Sequence, residues 1–358
     1  MHSFALSGIR LGILCLALAS AVRVCTADLV NPTFPLPGGR PFFHTCTDKT
    51  GLPQNSVQCM AFDQKGYLWI GTQDGAAVFN GRVWTVFNMP NRLESNFVRA
   101  LLTASDGSVW FGTDGGGVLQ LKDGVWTTYG KPAGLPHNQV KCLIEATLPG
   151  SQRTILVATR GGVSVFENGR WNPFDTPDKD LAGRGTLCLL ESKNSTGSST
   201  LWVGTQGKGL FRLENGVWTR FDTSTGLIHD VVFCLLETRA ADGTKALWAG
   251  TYGGGLSRFE NGQWTGWNTS SGLPNNIVLS LTETVSQDGT PAVWVGTYGG
   301  GVARFEKNTW TVFDIDRAGL PNNVVLSLLE TIHNQSHDFW VRTRGRLVRF
   351  ENGTRTPY

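Results

Sequence analysis

Seven residues share one place in a recurring LWxGT motif, directly after the GT or its equivalent: Gln73, Asp114, Arg160, Gln206, Tyr252, Tyr298 and Arg344. Their neighbours repeat from copy to copy, but these do not. Tyrosine supplies a flat face, and arginine, aspartate and glutamine supply hydrogen bonds. Together they suit a sugar or another small polar ligand. Loop residues Gln54, His137, His229, Asn275 and Asn322 form a second variable set. His137 and His229 could bind a ligand, but a metal site needs three or four converging ligands, and neither neighbouring loop adds a third His or Cys. No metal or other cofactor is expected. A propeller lyase or hydrolase would need converging His, Glu or Asp, and Asp114 is the only acid among the seven.

Two further series invite chemistry and read better as structure. Cys59, Cys142, Cys188 and Cys234 hold a position occupied elsewhere by Ala100, Ser280 and Ser327, so the site asks for a small side chain. Equivalent positions on neighbouring units lie beyond the ~5.5–6 Å Cα separation of a disulfide. With Cys46 they are expected to be free, buried thiols. Glu145, Glu191, Glu237, Glu283 and Glu330 recur once per unit, which points to a repeated structural hydrogen bond rather than a carboxylate pair for glycoside chemistry.

The elements that position these residues are repeats. The motif tryptophan recurs at Trp69, Trp110, Trp202, Trp248, Trp294 and Trp340, with Leu156 in the third copy, at intervals of 41 and then 46 five times. Each copy carries four short apolar or alternating runs. In the fifth, strand a is expected over Val231–Glu237, b over Leu247–Thr251, c over Leu256–Phe259 and d over Trp264–Trp267. Asn-Gly or Asp-Gly joins c to d at Asn80-Gly81, Asp123-Gly124, Asn168-Gly169, Asn215-Gly216, Asn261-Gly262 and Asn352-Gly353, with Lys307-Asn308 the exception. Such pairs suit the type I′ hairpin turn. The fold class is therefore all-β, a seven-bladed β-propeller with four antiparallel strands per blade. Trp84, Trp126, Trp171, Trp218, Trp264 and Trp310 fall on strand d, leaving only Trp267 outside both series. Their expected role is packing between blades.

The 45 glycines and 13 tryptophans, against 16% charged residues, agree with short strands and tight turns. A net charge of +3 and the lack of any Lys/Arg run argue against nucleic acid as a partner. Residues 1–27 have the layout of a secretory signal peptide. Leu11–Ala21 is an eleven-residue apolar run, and Cys25-Thr26-Ala27 offers a cleavage site. Val24 is bulkier than the residue a lipoprotein signal places before its cysteine. No later segment approaches the ~20 apolar residues of a transmembrane helix. Residues 28–41 form a Pro/Gly-rich lead-in, and 42–358 the propeller. Phe43 keeps to Gly51 the spacing that Trp264 keeps to Gly272, so residues 42–46 are expected to supply the outer strand that closes the ring. Residues 352–358 would then be left over.

The unit LWxGT…GGGL.RFENG.W…GLPNN.V.SL resembles the two-component regulator propeller repeat, and the resemblance covers roughly residues 42–358. It implies an extracytoplasmic sensor region, periplasmic or secreted, for an extracellular ligand such as an oligosaccharide, with a signalling protein as partner. In that family the propellers precede an immunoglobulin-like domain, a membrane helix and a kinase core, none of which is read here. Either a stand-alone exported propeller or the front of a longer sensor fits. A protein-interaction scaffold is the remaining alternative, since one fold hosts all these functions.

Overall fold

The computed structural model describes residues 43–46, 57–87, 95, 97–148, 153–176, 185–193, 197–240, 242–285, 290–333 and 336–350. The signal-peptide and lead-in segments, Gln54 and residues 352–358 lie outside them. The chain forms seven four-stranded antiparallel sheets arranged as the blades of a propeller. Successive a strands touch one another around the full ring, the seventh against the first. In six blades the order is a-b-c-d; in the seventh, Phe43–Cys46 takes the outer place beside Arg346–Phe350. Phe43 opposes Phe350 there, as Trp264 opposes Phe259 in blade 5. A strand from early in the chain thus pairs with one from its last blade, and no outer edge of that sheet is left short by one strand.

Strands a and b of blade 5 run Val232–Arg239 and Lys245–Thr251, each two residues longer at the hairpin than the motif indicates. Strands c and d, Leu256–Glu260 and Gln263–Trp267, follow it closely. Asn261 and Gly262 have φ of 50° and 81°, as a type I′ turn requires, and Lys307 and Asn308 adopt the same conformation at 47° and 60°. Asn80-Gly81 departs from the expectation. One more residue separates Asn80 from Trp84, so the turn is wider, and the Asn80 side chain accepts from the N–H groups of Arg82 and Val83.

The strand-b tryptophans are buried, and those of blades 1, 2, 4, 5 and 6 each lie between their own strand d and the next blade. Trp248 stacks on Trp267 at 5.5 Å and meets Phe305 of blade 6 edge-on at 5.7 Å. Trp69 does the same with Phe87 and Phe111, and Trp294 stacks on Phe313 and meets Phe339 of blade 7 at a tilt of 42°. Trp267 therefore fills the position of Phe87, Tyr129, Phe221 and Phe313, which is why it stood outside the tryptophan series.

Strand a packs tightly on the next blade. A Cβ on Gly71 would lie 2.5 Å from both Cys59 Sγ and Val98 Cγ1, so the motif glycine and its small partner are set by space. The thiols of Cys59, Cys188 and Cys234 donate to the carbonyls of Val98, Val232 and Val278 on the following blades. These three are free and buried, as expected, but Cys142 is disulfide-bonded. With the other three free, that bond does not link it to any of them. The spacing argument addressed only such equivalent positions, and so it did not reach this bond. Two of the repeated glutamates act between blades, whereas Glu237 pairs with Lys245 of its own blade. Glu145 accepts from Ser105 in the hairpin of the preceding blade, and Glu191 from the N–H of Thr147.

Candidate ligand-binding site

The d-to-a and b-to-c loops share one end of the ring, and their backbones are stitched together across each blade boundary. In blades 5 and 6, the N–H groups of Gly253 and Gly255 both donate to the carbonyl of Asn276 at 3.0 and 2.8 Å. Asn138, Asp230 and Asn323 receive the equivalent glycine pairs at three other boundaries. The middle glycine, as at Gly300, donates to the motif threonine, Thr297. Glycine is required at Gly255, where φ is 101° and a Cβ would sit 2.1 Å from the carbonyl oxygen of Trp267. These N–H groups are committed to holding blades together, so the loops form no anion cradle of the kind such glycine runs can make. Recognition at this end falls to side chains.

The residues after GT occupy the boundaries themselves. The N–H of Tyr252 donates to Val231 of its own blade, and its backbone also bridges Ile277 of blade 6. Asp114, Gln206 and Tyr298 make the corresponding bridges to Gln139, Val231 and Val324. The backbone is fixed and the side chain is left outside. Gln73, Arg160, Gln206, Tyr252, Tyr298 and Arg344 are exposed, with 47% and 45% of the two tyrosines accessible. Asp114 alone is half-buried, in an ion pair with Arg99 at 2.5 Å.

His137 and His229 have a structural role that the sequence did not disclose. Nδ1 of each accepts the N–H two residues on, from Gln139 and Val231, at 2.9 and 3.1 Å. Asn275 and Asn322 use Oδ1 for the same bond, and Ser95 its hydroxyl. The position needs a short acceptor, which His, Asn and Ser all supply. Only Nε2 of each histidine remains for other work. Burial, then Lys131 and Arg160, lowers the pKa of His137 and favours the neutral ring that this bond requires. No group of three or more potential metal ligands occurs among the described residues.

Deeper in the ring lies a set of side chains not singled out from sequence. Every strand a carries a β-bulge at its start. Val57 pairs with Thr72 and Cys59 with Gly71, leaving Gln58 between them, and the same shift isolates Arg99, Lys141, Leu187, Phe233, Leu279 and Leu326. Two contacts join this tier to the mouth within one blade: the Arg99–Asp114 ion pair, and the stacking of Phe233 on Tyr252 at 5.4 Å. Blades 1–3 contribute polar or cationic bulge residues, and blades 4–7 only apolar ones. The signal was available, because the residue before the Cys/Ala/Ser position varies between copies as the mouth residue does.

Arg342 adds to the cationic sector. It stands where five other blades have the motif glycine, and it is 1% exposed. Its guanidinium donates to the backbone carbonyl and Oε1 of Gln58 at 2.6 and 3.0 Å. Burial pulls its pKa down to about 9, which leaves it charged at neutral pH. On the other face, a cavity of about 460 Å³ between blades 5 and 6 is lined in part by Arg258, Glu260 and Glu306. Its two arginines are already engaged, Arg258 with Glu260 and Arg239 with the carbonyl of Lys193.

The two-component regulator propeller family matches residues 51–74 and 92–115. No curated protein sequence matches the chain. Among solved structures, the extracellular domain of a hybrid two-component system of B. thetaiotaomicron is similar at 17% identity, covering 87% of this chain and 52% of that one, with a TM-score of 0.43. PorZ, a surface component of the type-IX secretion system of Porphyromonas gingivalis, is similar at 14% identity over 84% and 47%, with a TM-score of 0.59. YCF48 bound to D1 peptide is similar at 16% identity over 91% and 99%, with a TM-score of 0.56. The chain spans about half the length of the first two. At these identities the likeness is one of fold.

Proposed function

We propose that this chain is an extracytoplasmic ligand-binding propeller serving two-component-type signal transduction, with a carbohydrate or another small polar molecule as its ligand, a reading supported by the match of the two-component regulator propeller family to residues 51–74 and 92–115. One observation carries the reading. At a position whose backbone pairs within its own blade and, at four boundaries, with the next, the seven side chains are two Gln, two Arg, two Tyr and one Asp, and six of them are exposed. Packing does not account for that pattern, and recognition does. The apolar run Leu11–Ala21 and the cleavage site after it support export. Binding is favoured over hydrolysis because Asp114, the sole acid of the mouth ring, is held by Arg99. A signalling protein that senses the occupied ring is part of this proposal.

The test is a thermal-shift screen of the protein against oligosaccharides and small polar metabolites. A ligand at a hundred times its dissociation constant adds about 2.7 kcal/mol. At about 2–4 °C per kcal/mol, or somewhat less for a ring of this size, that shift is measurable. A hit should disappear in the Tyr252→Ala/Tyr298→Ala protein. A hit that persists unchanged there would remove the mouth ring as the site. A cooperative melt with no hit would favour the protein-interaction scaffold.

A further inference from the structure

Cationic side chains gather in one sector of the ring. Arg99 and Lys141 are the bulge residues of blades 2 and 3, Arg160 is the mouth residue of blade 3, and Arg342 lies buried at the boundary of blades 7 and 1. They are close enough to act on one another. Arg99 and Arg160 both bear on Lys141, and Arg99 bears on Arg342. Among the described residues, Asp114 is the one carboxylate that acts on Lys141, and it is already paired with Arg99.

This charge is not balanced within the sector. Lys141 has no hydrogen bond or ion pair among the described residues, although it is half-buried. Nε of Arg99 and Nε of Arg342 are buried and have no hydrogen-bond partner. Like charges held together away from water are costly, and the cost falls when an anion arrives. The other sector is apolar: Leu187, Phe233, Leu279 and Leu326 at the bulges, with Tyr252 stacked on Phe233 above them.

We propose that the ligand of this ring is an acidic saccharide, whose carboxylate or sulfate is seated by Lys141, Arg160 and Arg99 while a less polar sugar face lies towards Phe233, Tyr252 and Tyr298. The proposal rests on the sensor reading above and specifies its ligand class. A neutral sugar offers hydroxyls that both donate and accept, whereas the donors of this sector outnumber its open carboxylate oxygen, Oδ1 of Asp114. Arg342 does not touch the ligand. Its charge, fixed by Gln58, strengthens the positive potential of the sector.

The experiment is a binding titration of the protein with matched pairs of probes: trigalacturonate against galactotriose, and a sulfated against an unsulfated N-acetylated chitin trisaccharide. The same titrations are run on Lys141→Gln, a change that places in blade 3 the residue already used at the bulge of blade 1. The acidic member of at least one pair should bind about tenfold or more tightly than its neutral counterpart. That preference should vanish in Lys141→Gln, and it should weaken as sodium chloride rises from about 0.05 to about 0.5 M. Neutral members binding as well as acidic ones, or acid binding unaffected by Lys141→Gln, would overturn the acidic class and leave a sugar sensor standing. Binding by no probe of either kind would count against both the acidic class and the carbohydrate reading it rests on.

Discussion

Arg342 and Gln58 are 284 residues apart in sequence, and the guanidinium of the first donates to both oxygens of the second across the boundary of the last and first blades. At five of the other six boundaries the equivalent residue is a glycine, and neighbouring side chains fill the space a larger residue would need, as Cys59 and Val98 do at Gly71. Arg342→Ala should cost about 2–4 kcal/mol, since it leaves a cavity and a buried carbonyl without its donor. Arg342→Met should cost much less, because an apolar side chain of similar volume removes the buried charge as well as the bonds. Urea unfolding at unchanged m-value measures both. Equal losses in the two variants would mean that the lost bonds to Gln58, and not the filled volume, set the cost.

His137 gives the protein a pH dependence of known sign. Its folded-state pKa is lowered, so the unfolded chain binds the proton first as pH falls. The contribution is complete above the ordinary histidine value, about 6.5, and is lost as pH drops through the folded value. Protonation at Nδ1 also removes the acceptor for the Gln139 N–H. Stability should therefore fall as pH drops below about 7.5, and it should fall less in His137→Asn, which keeps the acceptor that Asn275 and Asn322 provide. Denaturation curves for the two proteins across that range are the check. Parallel curves would place the acid sensitivity elsewhere.

Two glycines with similar backbone angles should respond differently to one methyl group. Gly262→Ala meets nothing within 4 Å and should cost about 1 kcal/mol, for the left-handed conformation alone. Gly255→Ala drives its Cβ into the Trp267 carbonyl and displaces the loop that donates to Asn276. It should cost several times more, by about 3 kcal/mol or greater. Thermal unfolding compares the pair directly.

The buried thiols should be silent in the folded protein. Burial pushes Cys59 up to about 12, and raises Cys188 and Cys234 as well. Thiolate is the reactive form, so native-state alkylation at about pH 8 should leave all three unmodified, and guanidinium should release them together. Peptide mapping by mass spectrometry resolves each site. Labelling of one thiol ahead of the others would reveal a blade that opens on its own.

Most of the ring was legible in sequence because its determinants are local and repeated seven times. Asn-Gly turns, alternating strands and the spacing of tryptophans each specify one blade, and repetition removes the ambiguity of any single reading. The bulge tier was not found, although Gln58, Arg99 and Lys141 vary as openly as the mouth residues. A bulge is a fact of pairing, visible only once two strands are set in register. His137 and His229 drew notice as chemical groups, but a bond to backbone two residues on is what places them. Cys142 escaped because a distance argument between equivalent sites is silent about other partners.

The pairing of Phe43–Cys46 with Arg346–Phe350 also sets an order of events. An early strand must wait, unpaired, until some three hundred residues have emerged behind it, so closure is the most non-local step in the fold and should be the slowest. Six blades can assemble from neighbours alone, but the circle is completed only by a late reunion of distant segments. Until then, two open strand edges face one another across the gap, and a second chain in the same state offers each of them a rival partner.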